Sequence, residues 1–93
     1  MKARLIGVST CKNCRNIADS WRRQNIDFDY WDGDQDDLQD KLDEMKVKKF
    51  PVIQIVDDDG KVLYTWDNAL YPRGVSYQTV RMQMEKIKND TRR

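Results

Sequence analysis

The sequence predicts an α/β domain: a four-stranded mixed sheet in the order β-α-β-α-β-β-α, with helices on both faces. Three observations lead there. Apolar runs of strand length lie within residues 4–9, as Leu5-Ile6-Gly7-Val8, and nearly continuously over 50–56. Cys14, Ile17, Ala18 and Trp21 recur at the three- and four-residue steps that mark one face of a helix. Asp57-Asp58-Asp59-Gly60, set between two strand-like runs, marks a hairpin, because Gly60 can take the left-handed conformation such a turn requires.

Taken in order, residues 4–9 form a buried strand, and the helix after it holds Cys14 on its core-facing stripe and ends near Asn25. Residues 26–31 alternate apolar Ile26, Phe28 and Tyr30 with acidic Asp27 and Asp29, a second strand with one buried face. Asp32-Gly33-Asp34 turns into a second helix with a narrow seam of Leu38, Leu42 and Met45. Acidic residues suit its positive end, and Lys46 and Lys48 its negative end. Strands over 50–56 and 61–66 flank the hairpin turn. Pro72 and Gly74 make residues 67–74 irregular. A last helix from 75 or 76 to about 89 sets Tyr77, Val80, Met84 and Ile87 on one face, and residues 89–93 are expected to fray. Strands joined through a helix pair in parallel by a right-handed crossover, while strands joined by a tight turn pair antiparallel.

The chain has 93 residues, 39% of them hydrophobic and 35% charged, which describes a single domain over residues 1–93 with one core. No apolar run approaches the roughly 20 residues of a membrane span, and Met1-Lys2-Ala3-Arg4 leads into a strand rather than a signal-peptide core. A cytoplasmic monomer is the expectation. Net charge is +1 and unevenly spread: a basic N-terminal third, an acidic stretch over 27–45, then Lys46, Lys48 and Lys49. The acidic stretch reads as a solvated face. Basic residues beside the cysteines favour an anionic ligand or an acidic partner segment. Nucleic acid is not an expected partner, because charge is near neutral and Arg22 and Arg23 lack aromatic partners spaced for stacking.

Both cysteines lie in Thr10-Cys11-Lys12-Asn13-Cys14, at a strand-to-helix turn. In a reducing compartment such a pair reads as reactive rather than as a staple, and a loop this short constrains little chain entropy. The attacking species in disulfide exchange is a thiolate, which the unpaired N–H groups and partial positive charge of a first helical turn stabilise. Cys11 meets that condition, with Lys12 and Arg15 within a turn to add to it. Cys14, against the core, is the resolving thiol. Cys11 is therefore expected to titrate below the ordinary thiol value of about 8.5. Stabilising its thiolate favours the reduced protein and makes the couple more oxidising. Zinc as an alternative needs four ligands, and two cysteines with no histidine supply too few without a second chain or external thiols. An interaction protein that keeps the fold without the chemistry is a further alternative.

Strand, Cys-x-x-Cys, helix and, much later, a proline opening the third strand is a pattern that resembles the thioredoxin-fold proteins. Its size and single helix before the proline hairpin are similar to the glutaredoxin branch, including small bacterial and phage redoxins. The resemblance is carried by Thr10-Cys11-Lys12-Asn13-Cys14 and Phe50-Pro51-Val52, and more weakly by Tyr64-Thr65-Trp66-Asp67. It implies a cis peptide before Pro51, packed beside the disulfide. It also implies thiol-disulfide exchange on protein or glutathione mixed disulfides, with glutathione as reductant and no tightly bound cofactor. Carried over by position, the glutathione or substrate contacts are Lys48 or Lys49, Phe50, Trp66, Asp67 and Asn68. Val8 stands where that family usually has lysine, Tyr64-Thr65 where it has Gly-Gly, and Lys12-Asn13 where it has Pro-Tyr. These departures keep open a closely related alternative, a hydrogen donor for a protein disulfide such as that of ribonucleotide reductase, reloaded by thioredoxin reductase. Residues 69–74, with Tyr71 and Arg73, are then either a partner-docking loop or a plain connection, and Trp66 and Tyr71 either flank the site as apolar contacts or serve packing. Some glutaredoxins also bridge an iron–sulfur cluster, usually through a single active-site cysteine.

Overall fold

Residues 3–7 are buried throughout, a pattern met by an interior strand covered on both faces. The computed structural model describes residues 1–91 and places this strand, β1 (Lys2–Gly7), in the middle of the sheet. The chain continues as α1 (Lys12–Arg23), β2 (Phe28–Asp32), α2 (Gln39–Glu44), β3 (Val52–Val56), β4 (Val62–Trp66) and α3 (Tyr77–Thr91). A single 3-10 turn at Asp36–Leu38 leads into α2. Strand order is β2-β1-β3-β4, with β2 parallel to β1 and both other pairings antiparallel. Element order, the parallel pairing of β1 with β2 and the hairpin are those the sequence predicts.

Register sorts the residues by face. Ala3, Leu5, Ile53, Ile55 and Trp66 join Ala18 and Trp21 of α1 and Val80 of α3 in the larger core. Trp21 meets Phe28 and Tyr77 edge to face, with ring centroids 5.1 and 5.6 Å apart. On the other face Ile6 and Val52 pack with Leu42 of α2, and Trp31, Met45 and Phe50 close the edges. A polar row crosses that second face. Arg4 pairs in register with Asp29 and Gln54, and Gln54 with Thr65. The Arg4 guanidinium lies 3.8 Å from the centre of the Trp31 ring and 3.7 Å from a carboxylate oxygen of Asp29. Burial lowers its pKa, and the Asp29 charge opposes that shift.

Element ends differ from the sequence reading in ways local geometry explains. Asn25 has φ 58°, and Ile26 N–H donates to the Trp21 carbonyl, a left-handed helix stop that delays β2 to Phe28. Lys46 closes α2 the same way at φ 59°, with Val47 N–H on the Leu42 carbonyl. In the hairpin, the Asp57 carboxylate accepts from Asp59 N–H and Lys61 N–H, each at 2.9 Å, so β4 starts one residue later than expected. The Ser76 hydroxyl accepts from Thr79 N–H and caps α3. That helix includes residues 89–91, which the sequence reading left to a frayed tail; residues 92 and 93 lie outside the described residues.

Candidate active site

A glycine at the end of β1 lets the next helix come in close. A Cβ on Gly7 would stand 2.7 Å from Cys14 Cβ and 3.0 Å from its sulfur, closer than side chains pack, so only glycine admits α1 here. Cys11 is the N-cap of α1, and its sulfur accepts a hydrogen bond from Cys14 N–H at 3.2 Å. The two cysteines form a disulfide with Cα atoms 5.3 Å apart. Cys14 is fully buried and Cys11 partly exposed. The outer sulfur thus meets solvent at a helix N-terminus whose first turn carries no acidic residue. Lys12 and Arg15 are exposed, and neither forms an ion pair among the described residues.

Three other segments converge on the turn. Ser9 donates from both its backbone N–H and its hydroxyl to the Asp34 carboxylate, at 3.1 and 2.8 Å. Gly33 N–H donates to the Gly7 carbonyl at 2.7 Å, and a Cβ on Gly33 would be 2.8 Å from the Phe50 ring and 3.0 Å from Val8. The Phe50–Pro51 peptide is cis. Asn68 Nδ2 donates to the carbonyls of Pro51 and Pro72, both at 3.4 Å, which ties residues 68–72 to the proline turn. Gly74, at φ 75°, is the point where that loop meets α1: a Cβ there would be 2.6 Å from Ile17 Cδ1 and 3.6 Å from Pro51 Cγ.

The contact residues expected from the family pattern separate into two groups. Lys48, Lys49, Asp67 and Asn68 line one cleft of about 850 Å³, together with Met45, Lys46, Val52, Gln54 and Thr65. It lies where the short α2 leaves the second sheet face open, and neither cysteine is in its lining. The Asp67 carboxylate also accepts from Leu70 N–H at 3.0 Å, so it shapes the loop. Phe50 packs into the smaller core. Trp66, expected as a contact, is only 4% exposed and packs in the larger core, with Tyr64 against it at 4.7 Å. Leu70, 75% exposed, and Tyr71, 39% exposed, are the apolar side chains presented by this loop.

Sequence reasoning passed over Gly7, Asp34 and Tyr30. Gly7 had a usable signal, since a strand glycine often marks a close approach of backbone or side chain. The Tyr30 hydroxyl lies 3.1 Å from the same vacant Cβ position that Cys14 approaches. Burial raises the Tyr30 pKa, Asp32 and Asp34 add to the rise, and Arg22 opposes it. Among the described residues no three His, Cys, Asp or Glu side chains gather as a metal cluster, and no helix is long and apolar enough to cross a membrane.

Sheet order, cis-proline turn and N-capping disulfide together define a dithiol protein of the thioredoxin fold. The chain is similar to thioredoxin 1 of Thermosipho africanus, with a TM-score of 0.68, 15% identity and all of both chains covered. It is also similar to a chain of the crystal structure of ferredoxin:thioredoxin reductase with thioredoxin f2, with a TM-score of 0.63 and 19% identity, over 94% of this chain and 78% of that one. No family model and no curated protein sequence matches. At these identities the likeness is one of fold, and chemistry has to be argued from the site.

Proposed function

We propose that this protein is a thiol-disulfide oxidoreductase that reduces disulfides through Cys11 and Cys14. The observation that carries the reading is the asymmetry of the pair: a partly exposed sulfur capping a helix N-terminus, bonded to a fully buried one. The Cys11 thiolate attacks a substrate disulfide, one substrate sulfur leaves as a thiolate, and the other stays bonded to Cys11. Cys14 then attacks Cys11, the Cys11–Cys14 bond forms, and the second substrate sulfur leaves with its electron pair. Two electrons pass from the dithiol to the substrate, and an external reductant must return them.

Two reductants fit different parts of the surface. Glutathione, an anionic tripeptide thiol, suits the cleft rimmed by Lys46, Lys48 and Lys49, with Asp67 and Asn68 at the loop beside the cis-proline. A protein reductant, or a protein disulfide substrate, suits the exposed Leu70 and Tyr71 on the loop tied to Pro51. The second reading draws support from the neighbouring structures, both of which carry thioredoxin in their names. Turnover of insulin disulfides decides the matter, with electrons supplied by glutathione and its reductase in one arm and by thioredoxin reductase in the other. Turnover in either arm that disappears in Cys11→Ser supports the oxidoreductase reading, and the active arm names the donor. No turnover in either arm, or equal rates for Cys11→Ser and the parent, would overturn it.

A further inference from the structure

The resolving step places a negative charge on the Cys14 sulfur, and that sulfur is fully buried. A buried thiolate is costly unless a hydrogen-bond donor meets it. The helix N-terminus serves Cys11, whose sulfur already takes the Cys14 N–H. Of the three heavy atoms nearest the vacant Cβ position of Gly7, two belong to Cys14 and the third is the hydroxyl oxygen of Tyr30, which can donate a hydrogen bond. Its hydroxyl stands 3.1 Å, and the Cys14 sulfur 3.0 Å, from the same point beside Gly7. No described residue shares a hydrogen bond with that hydroxyl in the disulfide form. The missing side chain of Gly7 thus leaves a small gap that the phenol and the sulfur both border.

We propose that Tyr30 is a positioning residue for Cys14: once the disulfide opens, its hydroxyl donates a hydrogen bond across the Gly7 gap to the Cys14 sulfur. The inference rests on the oxidoreductase reading. The Cys14 proton passes to water before attack. The Tyr30 proton stays on oxygen and holds the thiolate while its electron pair forms the bond to Cys11 and the substrate sulfur leaves with the pair from the broken bond. Burial favours the neutral phenol, as donation requires, and the charged groups that act on it are Asp32, Asp34 and Arg22. The Arg22 guanidinium carbon lies 5.9 Å from the ring centre.

Dithionitrobenzoate separates the two steps, because Cys11 attack and Cys14 resolution each release one coloured thiolate. Tyr30→Phe, which keeps the ring in the core, is expected to leave the first phase unchanged. It slows the second roughly tenfold at neutral pH, as loss of one hydrogen bond to a charged group does, and moves its pH profile upward. In the parent, the ring-carbon resonance of Tyr30 next to the hydroxyl is expected to shift on reduction, a readout that needs no variant. An unchanged second phase, equal slowing of both phases, or a resonance indifferent to reduction would overturn the role of Tyr30. A parent that releases no thiolate in either phase would instead overturn the oxidoreductase reading.

Discussion

Gly7 is the residue on which the geometry of the cysteine pair turns. The 2.7 Å approach to Cys14 Cβ involves an atom fixed to the helix backbone, so no side-chain rotation relieves it. Gly7→Ala must push α1 outward, and overpacking of this kind typically costs about 1–3 kcal/mol. Urea denaturation is expected to show that loss, accompanied by slower resolution by Cys14; unchanged stability and kinetics would mean that the helix has room to spare. The sequence makes the Cys-x-x-Cys and its strand-to-helix setting legible because both are local features. Tyr30 was legible only as a strand residue. Its place beside Cys14 depends on the register of β2 against β1, which no local pattern encodes. Position in the family pattern suggested a contact at Trp66, and strand alternation packs its ring in the core with Ile53, its partner in register.

Elements were the most legible scale, since hydrophobic spacing sets their type and number. Their ends depend on backbone conformations that composition hides. Asn25 in the left-handed region is a favourable stop, whereas Lys46 adopts the same conformation at φ 59° with a full side chain. Left-handed backbone costs a non-glycine residue roughly 1–2 kcal/mol, part of which glycine returns as unfolded-state entropy. Lys46→Gly is therefore expected to stabilise the domain by about 0.5–1 kcal/mol. The rise should appear as a higher urea midpoint at constant m-value; a fall would mean that the Lys46 side chain contributes more than its backbone costs. The cleft beside this residue was not legible as a cavity. It exists because α2 spans only Gln39–Glu44, too short to cover β3 and β4 as well as β1.

Across the whole molecule, the unequal treatment of the two sulfurs follows from topology. The central position of β1 carries the chain out of the sheet at Gly7 and delivers Cys11 to the surface at the start of α1. The same helix, packed by Ala18 and Trp21, turns Cys14 inward. Ser9 on Asp34 and Asn68 on the Pro51 carbonyl fasten the surrounding loops, so the turn is held from two sides. A disulfide can open and close there while the core stays as it is. Alkylation of the reduced protein by iodoacetamide across pH, with each cysteine mapped by mass spectrometry, tests this directly. The account predicts that Cys11 reacts with a midpoint below the ordinary thiol value of about 8.5, and that Cys14 stays protected until denaturant unfolds the domain. Equal reaction at both cysteines, each with the pH dependence of a free thiol, would contradict it.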